Sequence, residues 1–174
     1  MKFLSVVAGV VALSAGLVAQ GPAAKKGDGK SAIAVTLGSL GCSTALGTDA
    51  FEVQAWSWGA SSPVDVSGGG GGAGKVNVQD LSLTKAFDGC SPALLGGVAT
   101  GKAFPSLTLA ASNKDGSTTT VTLTEVFVSS WQVGGTSTSA AAFESVSFAF
   151  SKFCLTDGSS GAKFCYDIKA NKTF

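Results

Sequence analysis

The glycine stretch SGGGGGAGKV, residues 67–76, contains the chain's most suggestive chemical pattern. Gly69 to Lys75 matches G-x-x-x-x-G-K, and residues 69–74 also match G-x-G-x-x-G, two patterns of phosphate-binding loops. A working phosphate loop needs Ser or Thr after the lysine, and a helix whose N-terminus meets the phosphate. Here Val76 follows Lys75, and the sequence continues as an alternating strand pattern. We therefore interpret this stretch as a mobile connector between strands, with no nucleotide and no other cofactor.

Residues for acid–base or nucleophilic chemistry are scarce. The chain has no His, which is the commonest acid–base group and metal ligand. Its serines have no His partner and no G-x-S-x-G pattern. Asp80, Glu125 and Glu144 lie on or beside predicted strands, but none has a second carboxylate within two positions. We therefore expect no catalytic and no metal-binding residues, and we predict that the protein is not an enzyme.

Two tryptophans offer an alternative, non-catalytic chemistry. Trp56 and Trp58 are two residues apart, so on a strand they share one face. An exposed pair could stack against sugars, although aromatic residues at this spacing more often pack in a core or an interface. The alternative function is therefore a secreted monomeric β-barrel module that binds a sugar or a surface through Trp56 and Trp58.

The first nineteen residues resemble a secretory signal peptide. Lys2 precedes an apolar run that ends in small residues, with Ala19 as the last residue of the signal. The chain has twelve basic and eleven acidic residues, so removal of Lys2 leaves a net charge of zero. Without a basic excess we expect no nucleic-acid partner, and no membrane contact beyond the signal peptide. Residues 20–31 are predicted to be a flexible lead-in, and residues 32–174 a single domain.

The rest of the sequence is mostly β in pattern. A parity change of the apolar positions near Gln79 and Asp80 predicts a bulge or a sharp bend. Seven stretches show strand patterns: residues 32–37, 51–58, 75–85, 106–111, 118–133, 143–155 and 162–168. This content predicts a mainly antiparallel barrel or sandwich with one short helix.

That helix is predicted in the segment CSPALLGGVATG. Ser91 suits the N-cap, Pro92 the first helical position and Gly101 the end. The helical face that packs on the core is expected to contain Leu94, Leu95 and Val98.

The four cysteines of an exported chain indicate two disulfides. If Cys154 faces Cys165 in an antiparallel hairpin, then Leu155 faces Phe164, Phe153 faces Tyr166 and Lys152 faces Asp167. Apolar pairs then share one side and polar pairs the other, which makes the register coherent. This register predicts a Cys154–Cys165 disulfide and leaves Cys42 to pair with Cys90.

Several segments, in this order, resemble the Hcp family, the haemolysin-coregulated tube proteins of type VI secretion systems. They are VQAWSWGASSP, GKVNVQDLSLTKAFDGCSPALL, GKAFPSLTL, VTLTEVFVSSWQVGG and ESVSFAFSKF. The resemblance covers residues 33–155. It implies a bent antiparallel β-barrel of two sheets with one short α-helix at its side.

The resemblance also implies a function. Hcp subunits form hexameric rings that stack into a tube and carry small effector proteins in the lumen, so self-association is expected here. By position, the loop between the second and third predicted strands would make ring-to-ring or subunit contacts; its residues are Ser67, Gly68, Gly69, Gly70, Gly71, Gly72, Ala73 and Gly74. Family members normally lack a signal peptide, so this chain is expected to be an exported variant, periplasmic or extracellular.

Overall fold

The computed structural model describes residues 32–63, 75–137 and 139–174, with only the backbone at 139–141. The predicted signal peptide (1–19), the lead-in (20–31) and the contact loop (67–74) lie outside the described residues.

The described chain consists of strands and one helix in this order: β1 Ala32–Leu37, β2 Ser43–Thr44, β3 Gly47–Thr48, β4 Ala50–Val53, β5 Ala55–Ser57, β6 Ala60–Ser61, β7 Asn77–Val78, β8 Leu81–Ala86, α1 Ser91–Thr100, β9 Ala103–Ser112, β10 Thr118–Thr136, β11 Ser139–Asp157, β12 Lys163–Asp167 and β13 Lys172–Thr173. All strand pairs are antiparallel. The predicted fold class, mainly β with one short helix, is confirmed.

The main sheet curves back on itself. Its order is β13-β12-β11-β10-β9-β1-β4, and β8 pairs with both β11 and β5. Only Gln54 separates β4 from β5, and its N–H donates to the Thr84 carbonyl of β8 at 2.8 Å. The predicted single strand over residues 51–58 is therefore wrong in one respect. The chain changes partner at Gln54, from β1 to β8, and this step gives the sheet its barrel shape.

Alternation of side chains along the strands builds the core. The longer strands of the main sheet turn every second residue inward, because successive strand residues point to opposite faces. The central members are fully buried: Val35, Leu37, Phe51, Leu81, Leu107, Leu109, Val121, Leu123, Val126 and Phe148.

The predicted irregularity is present, and the long hairpin has a second one. The strand pattern is interrupted at Gln79 and Asp80, between β7 of a two-stranded sheet and β8 of the main sheet, where the parity of the apolar residues changes. In the long β10–β11 hairpin the register shifts between Val128 and Ser130, and Glu125 has a left-handed φ of 53°. These features bend β10, so its two halves belong to different parts of the barrel.

The helix differs from the prediction in its first residue and in its buried face. Cys90 is the N-cap, and Ser91 is the first helical residue. Leu94 is buried as expected, but Leu95 is 44% exposed. Gly97 replaces Leu95 on the core side, where an added Cβ would lie only 3.1 Å from side-chain atoms of Phe104 and Val128. Gly101 ends the helix in the left-handed conformation, as predicted.

Candidate functional site

The carboxylates considered as catalytic candidates are all engaged in other contacts. Asp80 accepts a hydrogen bond from Ser129 at 2.5 Å. Glu125 accepts from Ser151 and from Lys169, both at 2.7 Å, and the Lys169 hydrogen bond is the main cause of its lowered pKa. Within residues 32–63, 75–137 and 139–174, no three His, Cys, Asp or Glu side chains are placed to hold a metal ion.

Glu144 belongs to a buried ion pair. It lies opposite Lys85 across β11 and β8, and Lys85 Nζ is 2.5 Å from Glu144 Oε1. Both side chains are inaccessible to solvent. The sequence contained a signal for this pair: Lys85 has the parity of the buried Leu83, and Glu144 has that of Val146.

The polar atoms around this pair are hydrogen-bonded. Ser91 donates to Glu144 Oε1 and Trp131 Nε1 donates to Oε2, both at 2.9 Å. Lys85 also contacts Asp88 at 2.9 Å, and the Asp88 N–H donates to Ser91 Oγ at the same distance. Because Ser91 at the start of α1 bonds to a buried ion pair of β8 and β11, we interpret the cluster as the joint between the helix and the sheet.

The tryptophan pair does not form an exposed platform. Trp58 donates from Nε1 to the Gln79 carbonyl at 3.0 Å and packs edge-on against Phe153, with ring centroids 4.8 Å apart. Trp56 lies opposite Leu83 and is half-buried against the core. These contacts are those of core packing.

Both predicted disulfides are present. Cys42 is bonded to Cys90, and Cys154 to Cys165. The predicted register of the C-terminal hairpin is also confirmed, with Lys152 opposite Asp167. The first bridge fixes the loop after β1 to the N-cap of α1.

The sequence did not reveal one regular surface of the sheet, a four-stranded face. It comprises β5, β8, the first half of β11 and the second half of β10, and we call it the hydroxyl face. Directly paired residues of neighbouring strands lie on the same side of a sheet. Two rows of paired residues therefore cross the four strands: Ser57, Ser82, Ser147 and Ser130 in one, and Ala55, Thr84, Ser145 and Gln132 in the other.

The hydroxyl face is uncharged and slightly concave. Its eight side chains include no Asp, Glu or Lys, and Ser82 Oγ is 3.2 Å from Ser147 Oγ. Two depressions of about 350 and 240 Å³ adjoin one another on it and share Thr84 and Ser145 as lining residues. Small hydroxyl side chains are depleted in the buried centre of protein interfaces. This composition is typical of a surface that stays in contact with water.

The two edges of this face have no strand partner in the described part of the chain. β5 pairs only with β8. β10 pairs with β9 only as far as Phe127, so residues 129–135 pair on one side alone. Those seven residues, SSWQVGG, contain neither charge nor proline, the usual devices that stop an edge strand from pairing with another chain.

No helix in the described ranges is both long and apolar enough to cross a membrane.

Comparison with known proteins points to one family. The family model described as "Type VI secretion system effector, Hcp" matches residues 28–156. Among solved structures, Hcp1 from Salmonella typhimurium is 23% identical, with a TM-score of 0.67 over 83% of this chain and 99% of that one.

Two further structures give the same picture. A type six secretion system protein is 23% identical, with a TM-score of 0.70 over 82% of this chain and 99% of that one. A type VI secretion system effector from Yersinia pestis is 19% identical, with a TM-score of 0.61 over 78% and 98%. At these identities the structural likeness shows the fold alone. A search of curated proteins gave no match.

Proposed function

This chain belongs to the Hcp family of type VI secretion proteins, and on that premise we propose that it is a non-enzymatic structural subunit that assembles into rings of six copies. The observation that carries the proposal is the hydroxyl face with its two unpaired edges. The β10 edge of one subunit, residues 129–135, pairs with the β5 edge of the next. A contact between two different edges is heterologous, and it closes into a ring when the rotation between subunits fits.

In such a ring the hydroxyl faces join into one continuous wall. We assign this wall to the central channel, because its Ser, Thr and Ala side chains are unlike those of a buried interface. A small effector protein in the channel would meet hydroxyls and no charges. Its retention would then depend on shape and hydrogen bonds, and little on salt concentration.

The proposed site of action lies outside the cytoplasm. Disulfides persist in oxidising compartments, and this chain has two. We further propose, from its position in the sequence between β6 and β7, that the loop at residues 67–74 makes contacts between rings or subunits.

Light scattering and negative-stain microscopy of the oxidised mature chain, residues 20–174, test the ring. We expect a mass six times that of the subunit and ring-shaped particles. A monomer at all concentrations would contradict the ring and favour the alternative, a secreted monomeric binding module.

A further inference from the structure

One end of the hydroxyl face carries an exposed aromatic ring. Phe143 of β11 is paired with Gly134 of β10 on one side and with Ala86 of β8 on the other. It lies two residues before Ser145, so its side chain is on the hydroxyl face, and it is 41% exposed. The neighbours of Phe143 in this row carry at most a methyl group, so they leave room beside the ring.

The next row of the same face supplies polar groups. Gln132, Ser145 and Thr84 are paired across three neighbouring strands, about 4.8 Å apart. Within the described ranges, none of these three side chains forms a hydrogen bond with another residue, whereas Ser82 and Ser147 lie within hydrogen-bond distance of each other. The row therefore offers an amide and two hydroxyls, with donors and acceptors, to a ligand.

The aromatic ring and the polar row line one depression. Its volume is about 350 Å³, and small-molecule sites have volumes of about 300–1,000 Å³. Gly134 also lines it, and a Cβ at this position would meet nothing within 4 Å. Packing within the described chain therefore does not require glycine there, and its absent side chain keeps the depression open opposite Phe143.

The depression offers no counter-ion to a charged ligand. Among the described residues that line it, only Glu144 is charged. Glu144 lies between Phe143 and Ser145 in the sequence, so its side chain points to the opposite side of the sheet, where it is buried against Lys85. A charged ligand would lose hydration here without gaining an ion pair. The chemistry of the depression therefore suits a neutral ligand with many hydroxyl groups.

We propose that this depression binds a neutral oligosaccharide. A sugar ring has C–H groups that pack on an aromatic ring, here Phe143, and hydroxyls that exchange hydrogen bonds with the amide and hydroxyl side chains of the polar row. The adjoining depression of about 240 Å³ shares Thr84 and Ser145 with the first and gives room for a further sugar unit. A short oligosaccharide should therefore bind more tightly than a single sugar.

This site differs from the tryptophan pair and does not depend on the ring. Trp56 lies between Ala55 and Ser57 of the hydroxyl face, so its side chain is on the other side of β5, against the core. Pairing at the edges of the face adds strands in the plane of the sheet and leaves this side uncovered. The site is thus open in a single subunit, and in the proposed ring it would lie on the channel wall.

Isothermal titration calorimetry of the oxidised mature chain, residues 20–174, tests the proposal. The probes are cellotriose, N-acetylchitotriose and maltotriose, three neutral trisaccharides, together with the single sugars glucose and N-acetylglucosamine. We expect saturable binding of at least one trisaccharide, weaker binding of its single sugar, and little change of affinity with salt concentration. Failure of all three trisaccharides to bind would overturn the proposal.

Two variants locate the site. Phe143→Ala should lower the affinity about tenfold, because it removes the aromatic contact. Gly134→Val should lower it as well, because its side chain fills the depression. Phe164→Ala removes an exposed phenylalanine from β12, and Thr124→Val places a valine at an exposed position of the other half of β10. These two matched controls should bind like the natural chain.

Circular dichroism verifies that the variants fold, and Gly134→Val gives an independent answer if Phe143→Ala is unstable. Binding that both site variants leave unchanged would overturn the proposal, since the sugar would then bind elsewhere. An equal loss in the two controls would overturn it too. Light scattering of the same samples separates this inference from the proposed function: a chain that forms no rings but binds the trisaccharide through Phe143 would support the site and contradict the ring.

Discussion

Lys85 and Glu144 face each other on neighbouring strands with no access to water. Taking two charges out of water costs several kcal/mol per ion, and their attraction offsets this cost only when the geometry is good and the other polar atoms are bonded. Ser91 and Trp131 supply the remaining hydrogen bonds to the carboxylate. The stability of this ion pair therefore depends on Ser91 and Trp131 as well as on Lys85 and Glu144.

Removing one partner of this pair should be strongly destabilising. We expect Lys85→Met to lower the free energy of unfolding by about 3–5 kcal/mol, because it leaves a buried charge without its counter-ion. Lys152→Met, which removes a solvent-accessible partner of Asp167, is the matched control and should cost far less. Urea denaturation measures both variants. Equal losses of the free energy of unfolding in the two variants would contradict the importance of burial.

Asp157 should make stability depend on pH in the acid range. Hydrogen bonds from Ser160 and Ser159 lower its pKa from 3.8 to about 2. A carboxyl group whose pKa is lower in the folded than in the unfolded protein stabilises the fold at pH values above its unfolded pKa. This stabilisation is lost as pH falls from about 4 to 2. We therefore expect Asp157→Asn to be less stable than the natural chain at pH 7. The difference should shrink toward pH 2 in thermal unfolding, and a difference constant between pH 4 and 2 would contradict this account.

At the scale of elements, the position of α1 depends on how closely the helix can approach the sheet. A Cβ on Gly97 would lie 3.1 Å from both Phe104 Cζ and Val128 Cγ2, whereas a Cβ on Gly96 would meet nothing within 4 Å. The two glycines are neighbours with opposite roles.

Alanine at these two positions should have opposite effects. Gly96→Ala should stabilise the protein by about 0.5–1 kcal/mol, because alanine has the higher helix propensity. Gly97→Ala should destabilise it by about 1–3 kcal/mol, because the added methyl overpacks the core. Chemical denaturation of both variants gives the comparison. Stabilisation by Gly97→Ala would show that the helix can move away from the sheet.

The elements that the sequence predicted well are those fixed by local patterns. The C-terminal hairpin followed from four mutually consistent pairs around Cys154 and Cys165, and the end of α1 followed from Gly101. The buried side of α1 could not be predicted, since the preference for Gly97 over Leu95 depends on Phe104 and Val128, which come from other strands. The spacing of apolar residues within the helix gives no information about contacts with residues of other strands.

At the scale of the whole molecule, the hydroxyl face depends on four strands that are far apart in the sequence. Ser57, Ser82, Ser130 and Ser147 are unremarkable one by one, and only the registers of three strand pairs align them in a row. The family resemblance implied the barrel, but nothing in the local patterns located this face or its unpaired edges.

The β10 edge should be sensitive to charge. We expect Ser130→Lys to prevent ring assembly, because a lysine on an edge strand opposes pairing with another chain. Ser130→Thr, the matched control, keeps a hydroxyl on the same strand and should form rings. Light scattering measures assembly, and circular dichroism verifies that both variants fold. Normal rings with lysine at this position would contradict the proposed edge contact.

The Cys42–Cys90 bridge has a consequence for the life history of the molecule. Cys90 is completely buried and Cys42 is partly buried. Disulfides persist in oxidising compartments, whereas the cytosol keeps thiols reduced. The bridge therefore makes the attachment of α1 to the loop after β1 depend on the compartment in which the protein resides. In an oxidising compartment this attachment is covalent, and in a reducing one it relies on non-covalent contacts such as the buried Lys85–Glu144 pair and Ser91.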